Sequence, residues 1–166
     1  MTRSFEALLE QLDDESRSMA HAIATRRPDL TSSMEAEPEH PSRLRLLVPS
    51  PTGDSSRDVL IWMCDDEPSL GFGPWHTHAT VWAHFAEPRE QDEALVELLV
   101  AILEDRFVIQ VDVGGPHDGT AVGVIDLREP NAIADALTEP GSTGHVRLLS
   151  WSGTKDAEHR VDEGQR

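Results

Sequence analysis

Residues 87 to 113 constrain the fold more than any other stretch of this chain. Glu87-Pro88-Arg-Glu-Gln-Asp-Glu93 opens a helix. Proline suits the first helical position, and the acids complement the positive end of the helix dipole. Ala94, Leu95, Leu98, Leu99, Ile102 and Leu103 then recur at helical spacing as one apolar stripe. Phe107-Val-Ile-Gln-Val-Asp-Val113 follows as a strand, stopped by Gly114-Gly-Pro-His-Asp-Gly119. A stripe of that width has to be buried, and adjacent strands supply the sheet that buries it.

Strand signals lie on both sides of this unit. Arg43 to Val48 alternates between apolar and polar residues, and a loop rich in turn formers runs from Pro49 to Ser56. Val59-Leu-Ile-Trp-Met-Cys64 is apolar throughout, which predicts a central strand covered on both faces. Asp65-Asp-Glu-Pro68 is a turn, Ser69 to Gly73 pairs back as a hairpin, and Pro74 interrupts the ladder. Thr120 to Leu127 makes a hairpin with the strand before it. A short helix runs from Pro130 to Leu137, and Gly144 to Trp151 gives a last strand. The sum is a single α+β domain: a mostly antiparallel sheet of about five or six strands packed by a central helix.

An N-terminal amphipathic helix precedes that body. Phe5, Leu8, Leu9, Leu12, Ser16, Met19, Ala20 and Ile23 share one face over residues 1–25, and Pro28 ends the run. Residues 26–42 hold three prolines and no period, and read as a connector to the core at 43–151. Residues 152–166 have Val161 as their only sizeable apolar side chain, which predicts a disordered tail.

Charge narrows the function classes. Against 14 Lys and Arg stand 31 Asp and Glu, a net charge of -17. Such an excess argues against a nucleic-acid or anionic-membrane binder and suits a basic protein partner. Cys64 is the only cysteine, so no internal disulfide forms. The start is amphipathic, not the apolar core of a signal peptide, and no apolar run approaches the roughly 20 residues that span a bilayer. A cytoplasmic protein is expected.

The chemistry-bearing residues gather in Gly71-Phe-Gly-Pro-Trp-His-Thr-His-Ala-Thr-Val-Trp-Ala-His-Phe85. If residues 75 to 85 are extended, Trp75, Thr77, Ala79, Val81, Ala83 and Phe85 lie on one face, and His76, His78, Thr80, Trp82 and His84 on the other. Three readings follow. As a metal site, His76 and His78 point the same way about 6.5 to 7 Å apart at Cα and share an ion. That reading needs a third ligand from His84, His117, Asp112 or Asp126. The cupin pattern also uses His-x-His, but the acid it requires shortly afterwards is replaced here by Val81, Trp82 and Ala83. As a binding surface, Trp75, His76, His78, Trp82 and His84 serve as anchors for a partner. As packing alone, the histidines bond backbone carbonyls and the tryptophans fill the core.

The run Leu70-Gly-Phe-Gly-Pro-Trp-His-Thr-His78, followed by an acid-rich helix start and an apolar helix, resembles a pattern in small cytosolic bacterial proteins. Some of these are grouped with the immunity proteins of polymorphic toxin systems. The resemblance covers residues 43–151. Its distinctive positions are Phe72, Gly73, Trp75, His76 and His78, and Ala79 stands where many members carry an aromatic. It implies a single-domain inhibitor that binds a toxin domain and catalyses nothing. The expectation is therefore a non-enzymatic protein-binding protein with no cofactor. The alternative is a metal-dependent enzyme centred on His76 and His78.

Overall fold

The computed structural model describes residues 4–65, 67–83, 87–114, 118–138 and 145–160. Its N-terminal helical region is two helices: α1 (Phe5–Leu9) and α2 (Asp14–Arg26). The sequence period runs through both, yet the backbone breaks between them. Asp13 is extended and its carboxylate accepts from the Ser16 amide at 2.9 Å, so it starts a new helix as an N-cap. Arg17 closes the corner by donating to the carbonyls of Leu9 and Leu12. The apolar face survives the break, because Leu8, Leu12, Met19, Ala20 and Ile23 are all buried.

The connector is more ordered than its prolines suggest. Residues Pro28–Ser33 form a 3-10 turn, and Met34–Ala36 is a strand, β1. It pairs with β2 (Leu44–Val48), and β3 (Val59–Cys64), β4 (Glu67–Phe72) and β5 (Trp75–His78) follow in an antiparallel meander. The β4–β5 turn holds Pro74 beside Gly73, whose φ of +59 favours glycine. A Cβ on Gly73 would also lie 3.0 Å from the Ser56 carbonyl oxygen.

A short helix, α3 (Ala79–Trp82), leads towards α4 (Pro88–Leu103), which opens with a reciprocal capping box between Glu87 and Glu90. Leu95, Leu98, Leu99 and Ile102 of α4 are fully buried. They meet Leu44, Leu46, Val48, Ile61, Leu70 and Phe72 from one face of the meander and Met19 and Ile23 from α2, in one continuous core.

The remaining strands form a second antiparallel sheet. Its order is β7 (Ala121–Asp126), β6 (Phe107–Asp112), β8 (His145–Leu149) and β9 (Ala157–Arg160). Ile109 and Val111 of β6 face the main core. Val108, Val146 and Leu148 face the other way and build a smaller cluster with Ala136 of α5 (Ala132–Thr138). The α+β class with antiparallel pairing stands, but the strands are divided between a sheet of five and a sheet of four.

β9 corrects the expectation of a disordered tail from residue 152. Ala157 and His159 are half-buried while Glu158 and Arg160 face solvent. An edge strand of this kind needs little apolar surface, because its backbone pairs with β8. The preceding turn is fixed by Asp156, which accepts from the Ser150 amide at 2.9 Å and pairs with Arg57 at 2.6 Å. Val161 lies outside the described residues. Among the described residues, no helix is long and apolar enough to cross a membrane.

One buried acid couples α2 to α4. Asp92 is 7% exposed and accepts from Ser18 Oγ at 2.5 Å. Burial pushes its carboxyl above the usual range, against the opposing effect of the Ser18 hydrogen bond. The native state therefore holds this proton more tightly than the unfolded chain. The resulting destabilisation is absent in acid. It grows as pH rises from the unfolded value near 3.9 through the native one, and is complete above that.

Two predictions follow from this packing. Leu99→Ala should cost about 2 to 5 kcal/mol in denaturant unfolding, as deletion of a fully enclosed leucine does; a loss under roughly 1 kcal/mol would show that α4 does not pack on the sheet. Asp92→Asn lacks the titration, so its stability relative to wild type should rise as pH is taken from about 4 to 7. A stability difference constant across that range would contradict the burial of an ionised Asp92.

Candidate binding groove

The five-stranded sheet has one face buried on helices and one left open. Along β3, Val59, Ile61 and Met63 are buried, while Leu60, Trp62 and Cys64 are only half-buried. This corrects the expectation of a strand covered on both faces. An all-apolar strand predicts cover on both faces, yet its outward residues lie on a surface that no described helix covers. Cys64 sits half-buried at the end of β3.

Pairing register sets which residues share the open face. Arg45, Trp62, Ser69 and His78 lie on one rung; Leu47, Leu60, Gly71 and His76 lie on the next. The Trp62 ring leans across β4 onto Gly71, where a Cβ would approach its Cζ3 to 3.1 Å. Glycine there lets the indole lie against the sheet. His76 stands on the far side of that ring, with centroids 6.4 Å apart, and His78 meets His76 edge-on at 5.6 Å. Ser69 is wholly buried, and its hydroxyl is hydrogen-bonded to His78 Nδ1 at 2.7 Å.

The second sheet turns this face into a groove. Val111, Gly119, Arg147 and Leu149 line it together with Leu47, Leu60, Trp62 and His76, around a volume of about 730 Å³. Ser55, Ser56 and Asp58 add polar groups to the lining. The groove is within the size range of ligand sites, and its lining mixes apolar surface with a few polar groups.

The proposed anchors separate into distinct environments. The alternation expected from Trp75 to His78 is present: Thr77 is buried and His76 is exposed. It ends at Ala79, where α3 begins, and so the extended reading of residues 75 to 85 fails beyond His78. Glu67 accounts for this break, because its carboxylate accepts from the Thr80 amide at 2.8 Å and from the Thr80 hydroxyl. Trp82, expected on the face of the histidines, instead packs between Trp75 and Phe107 in edge-on contacts at 6.4 and 6.1 Å. Trp75 both joins that aromatic column and reaches the groove. His84 and His117 lie outside the described residues.

The metal reading finds no third ligand in the described residues. No group of three or more His, Cys, Asp or Glu side chains there is placed to hold an ion. Asp126 pairs with Arg128 at 2.5 Å, and Asp112 is buried in β6. Trp62, Leu60 and Arg147 were not singled out from sequence. The first two were masked by the continuous apolar run, and Arg147 by its place in an ordinary alternating strand. No family model, curated protein or solved structure matches this chain.

With two imidazoles and one of them already bonded to Ser69, stoichiometric metal is not expected. Elemental analysis of purified protein should find less than one equivalent of Zn or Fe, and chelator should leave the melting temperature unchanged. One equivalent that is lost in His76→Ala would establish a metal centre.

Proposed function

We propose that this chain is a non-enzymatic protein-binding protein, of the kind that immunity proteins exemplify, and that its partner docks on the open face of the five-stranded sheet. The observation that carries this reading is the half-buried set Leu47, Leu60 and Trp62, with the exposed His76, on a face no described helix covers. Surface apolar groups gathered in this way mark interaction sites more often than isolated ones do. Trp62 has the character of an anchor: a large ring, held by Gly71 and His76, with one side free to be covered.

The charge supplies the second support. A net charge of -17 favours a partner with a basic surface, such as the substrate cleft of a nuclease-type toxin. Long-range attraction then raises the encounter rate, while the groove contributes the short-range energy.

The test starts with capture and identification of partners from the native host, followed by binding rates across salt. A basic partner should associate more slowly as salt rises, with little change in dissociation. Trp62→Ala should raise the dissociation rate by about tenfold or more, the scale of an interface hot spot, without changing the salt slope. An association rate indifferent to salt, or normal binding by a folded Trp62→Ala protein, would count against this reading.

A further inference from the structure

Arg147 stands out from the other arginines of this acidic chain. Among the described residues, Arg17, Arg26, Arg27, Arg45, Arg57, Arg89, Arg106, Arg128 and Arg160 each pair with a carboxylate. No ion pair joins Arg147 to any described residue, although acids outnumber bases 31 to 14. Its position makes this more informative. It lines the groove beside Val111, its cross-strand neighbour, and Leu149, together with Trp62 and Leu60.

The nearby carboxylates are occupied elsewhere. Glu158 is the cross-strand neighbour of Arg147, yet it bonds His145 Nε2 at 2.5 Å and Arg160 at 3.3 Å. Asp156 is held by Arg57 and by the Ser150 amide and hydroxyl. Asp54 accepts from Ser56 and pairs with Arg57. Asp58, at the groove end, accepts from the Ser50 amide at 2.8 Å. The local acids are committed to fixing loops, and Arg147, exposed to solvent where the groove meets a polar hollow lined by Asp54, Asp156 and Glu158, keeps its planar donor fork unpaired.

We propose that the groove takes an apolar segment of the partner protein bearing one acidic side chain, whose carboxylate seats on Arg147 while its apolar neighbours cover Trp62, Leu60 and Leu149. This rests on the protein-binding reading above and names what enters the site. It is compatible with a partner that is basic overall. The field of the whole chain acts across the solvent gap, whereas Arg147 acts only at contact, within one ion-pair distance.

The probe is the capped tripeptide acetyl-Trp-Glu-Leu-amide, with its Gln and Lys counterparts, titrated into the full chain and followed by NMR. The reporters are the backbone amides of Gly71, Gly73 and Leu149 and the Trp62 indole. The Glu peptide should shift these signals and bind about fivefold more tightly than the Gln peptide, the scale of one solvent-reached ion pair. The Lys peptide should bind most weakly. Arg147→Gln should erase the preference for Glu over Gln yet keep the apolar binding, and Arg147→Lys should restore part of it. Equal binding of the three peptides, shifts confined to other surfaces, or no binding would overturn the assignment. Phenylacetate binding as tightly as the Glu peptide would instead make this a small-anion site and equally overturn it. The two proposals fail separately. If an identified partner binds Arg147→Gln with unchanged affinity, the groove assignment falls and the protein-binding reading stands. If no partner exists, the peptide titration still decides the chemistry of the groove.

Discussion

The burial of the α4 stripe against the inner face of the five-stranded sheet is the contact on which the rest of this structure depends. Leu95, Leu98, Leu99 and Ile102 are each 2% exposed or less, and each fully buried leucine or isoleucine is worth about 1.5 to 3 kcal/mol relative to exposure. The same core takes α2 on one side and Ile109 and Val111 of the second sheet on the other. With its helices on one face, the meander presents its other face outward. The groove is therefore a consequence of where the core lies, and the outward residues of β2 to β5 are the ones free to be chosen for something other than packing.

What gives the groove its shape is polar. Ser50 Oγ donates to the Trp151 carbonyl at 2.7 Å, and Arg57 donates to the Ser150 carbonyl at 3.0 Å. Across the same junction, Ser152 and Thr154 are hydrogen-bonded to Asp105, the residue that follows α4 with a φ of 52. The Ser50 and Arg57 contacts join segments 101 and 93 residues apart in sequence and tie the two sheets at the edge of the groove, while the Asp105 contacts, 47 and 49 residues apart, brace the β8–β9 turn against the end of α4. Hydrogen bonds to charged groups contribute about 1.5 to 3 kcal/mol each, so the network is strong enough to hold the sheets at a defined angle. It also occupies Asp156, one of the carboxylates near Arg147, while Glu158 is taken by His145 and Arg160.

The sequence made the layers legible and the surfaces much less so. Periodicity located α4, β2 and β6, because a buried stripe imposes its spacing on whichever residues fill it. It read Phe5 to Ile23 as one helix since the apolar face is continuous, whereas the break depends on one carboxylate at Asp13. It missed β9 because edge strands are held by backbone pairing, which leaves little trace in hydrophobicity. The histidine segment was found by composition, and His76 and His78 do share a face. Trp82 was misplaced because a hydrogen bond from Thr80 to Glu67, thirteen residues away, ends the strand early. Trp62 and Arg147 lie in different sheets, and they meet at the groove only through the packing of one sheet against the other, which no local pattern encodes.

Within one molecule the two signs of charge have separate ranges of action. At about 0.1 M salt the Debye length is near 10 Å, so any charged molecule that approaches would sense the summed negative charge of the surface before any single residue. Once the solvent layer is expelled, the local dielectric falls and individual groups dominate. At that point Arg147, which unlike Asp58 has no hydrogen-bonded partner among the described residues, is an uncompensated charge beside Leu47, Leu60, Trp62 and Leu149. Burying it without a counter-charge would cost part of what the apolar contacts gain. An occupant that covers this trough stably must therefore bring its own carboxylate, or leave Arg147 at the solvent rim. The first arrangement gives selectivity among basic partners that overall attraction alone does not, because a surface matched only by net charge would be blind to sequence.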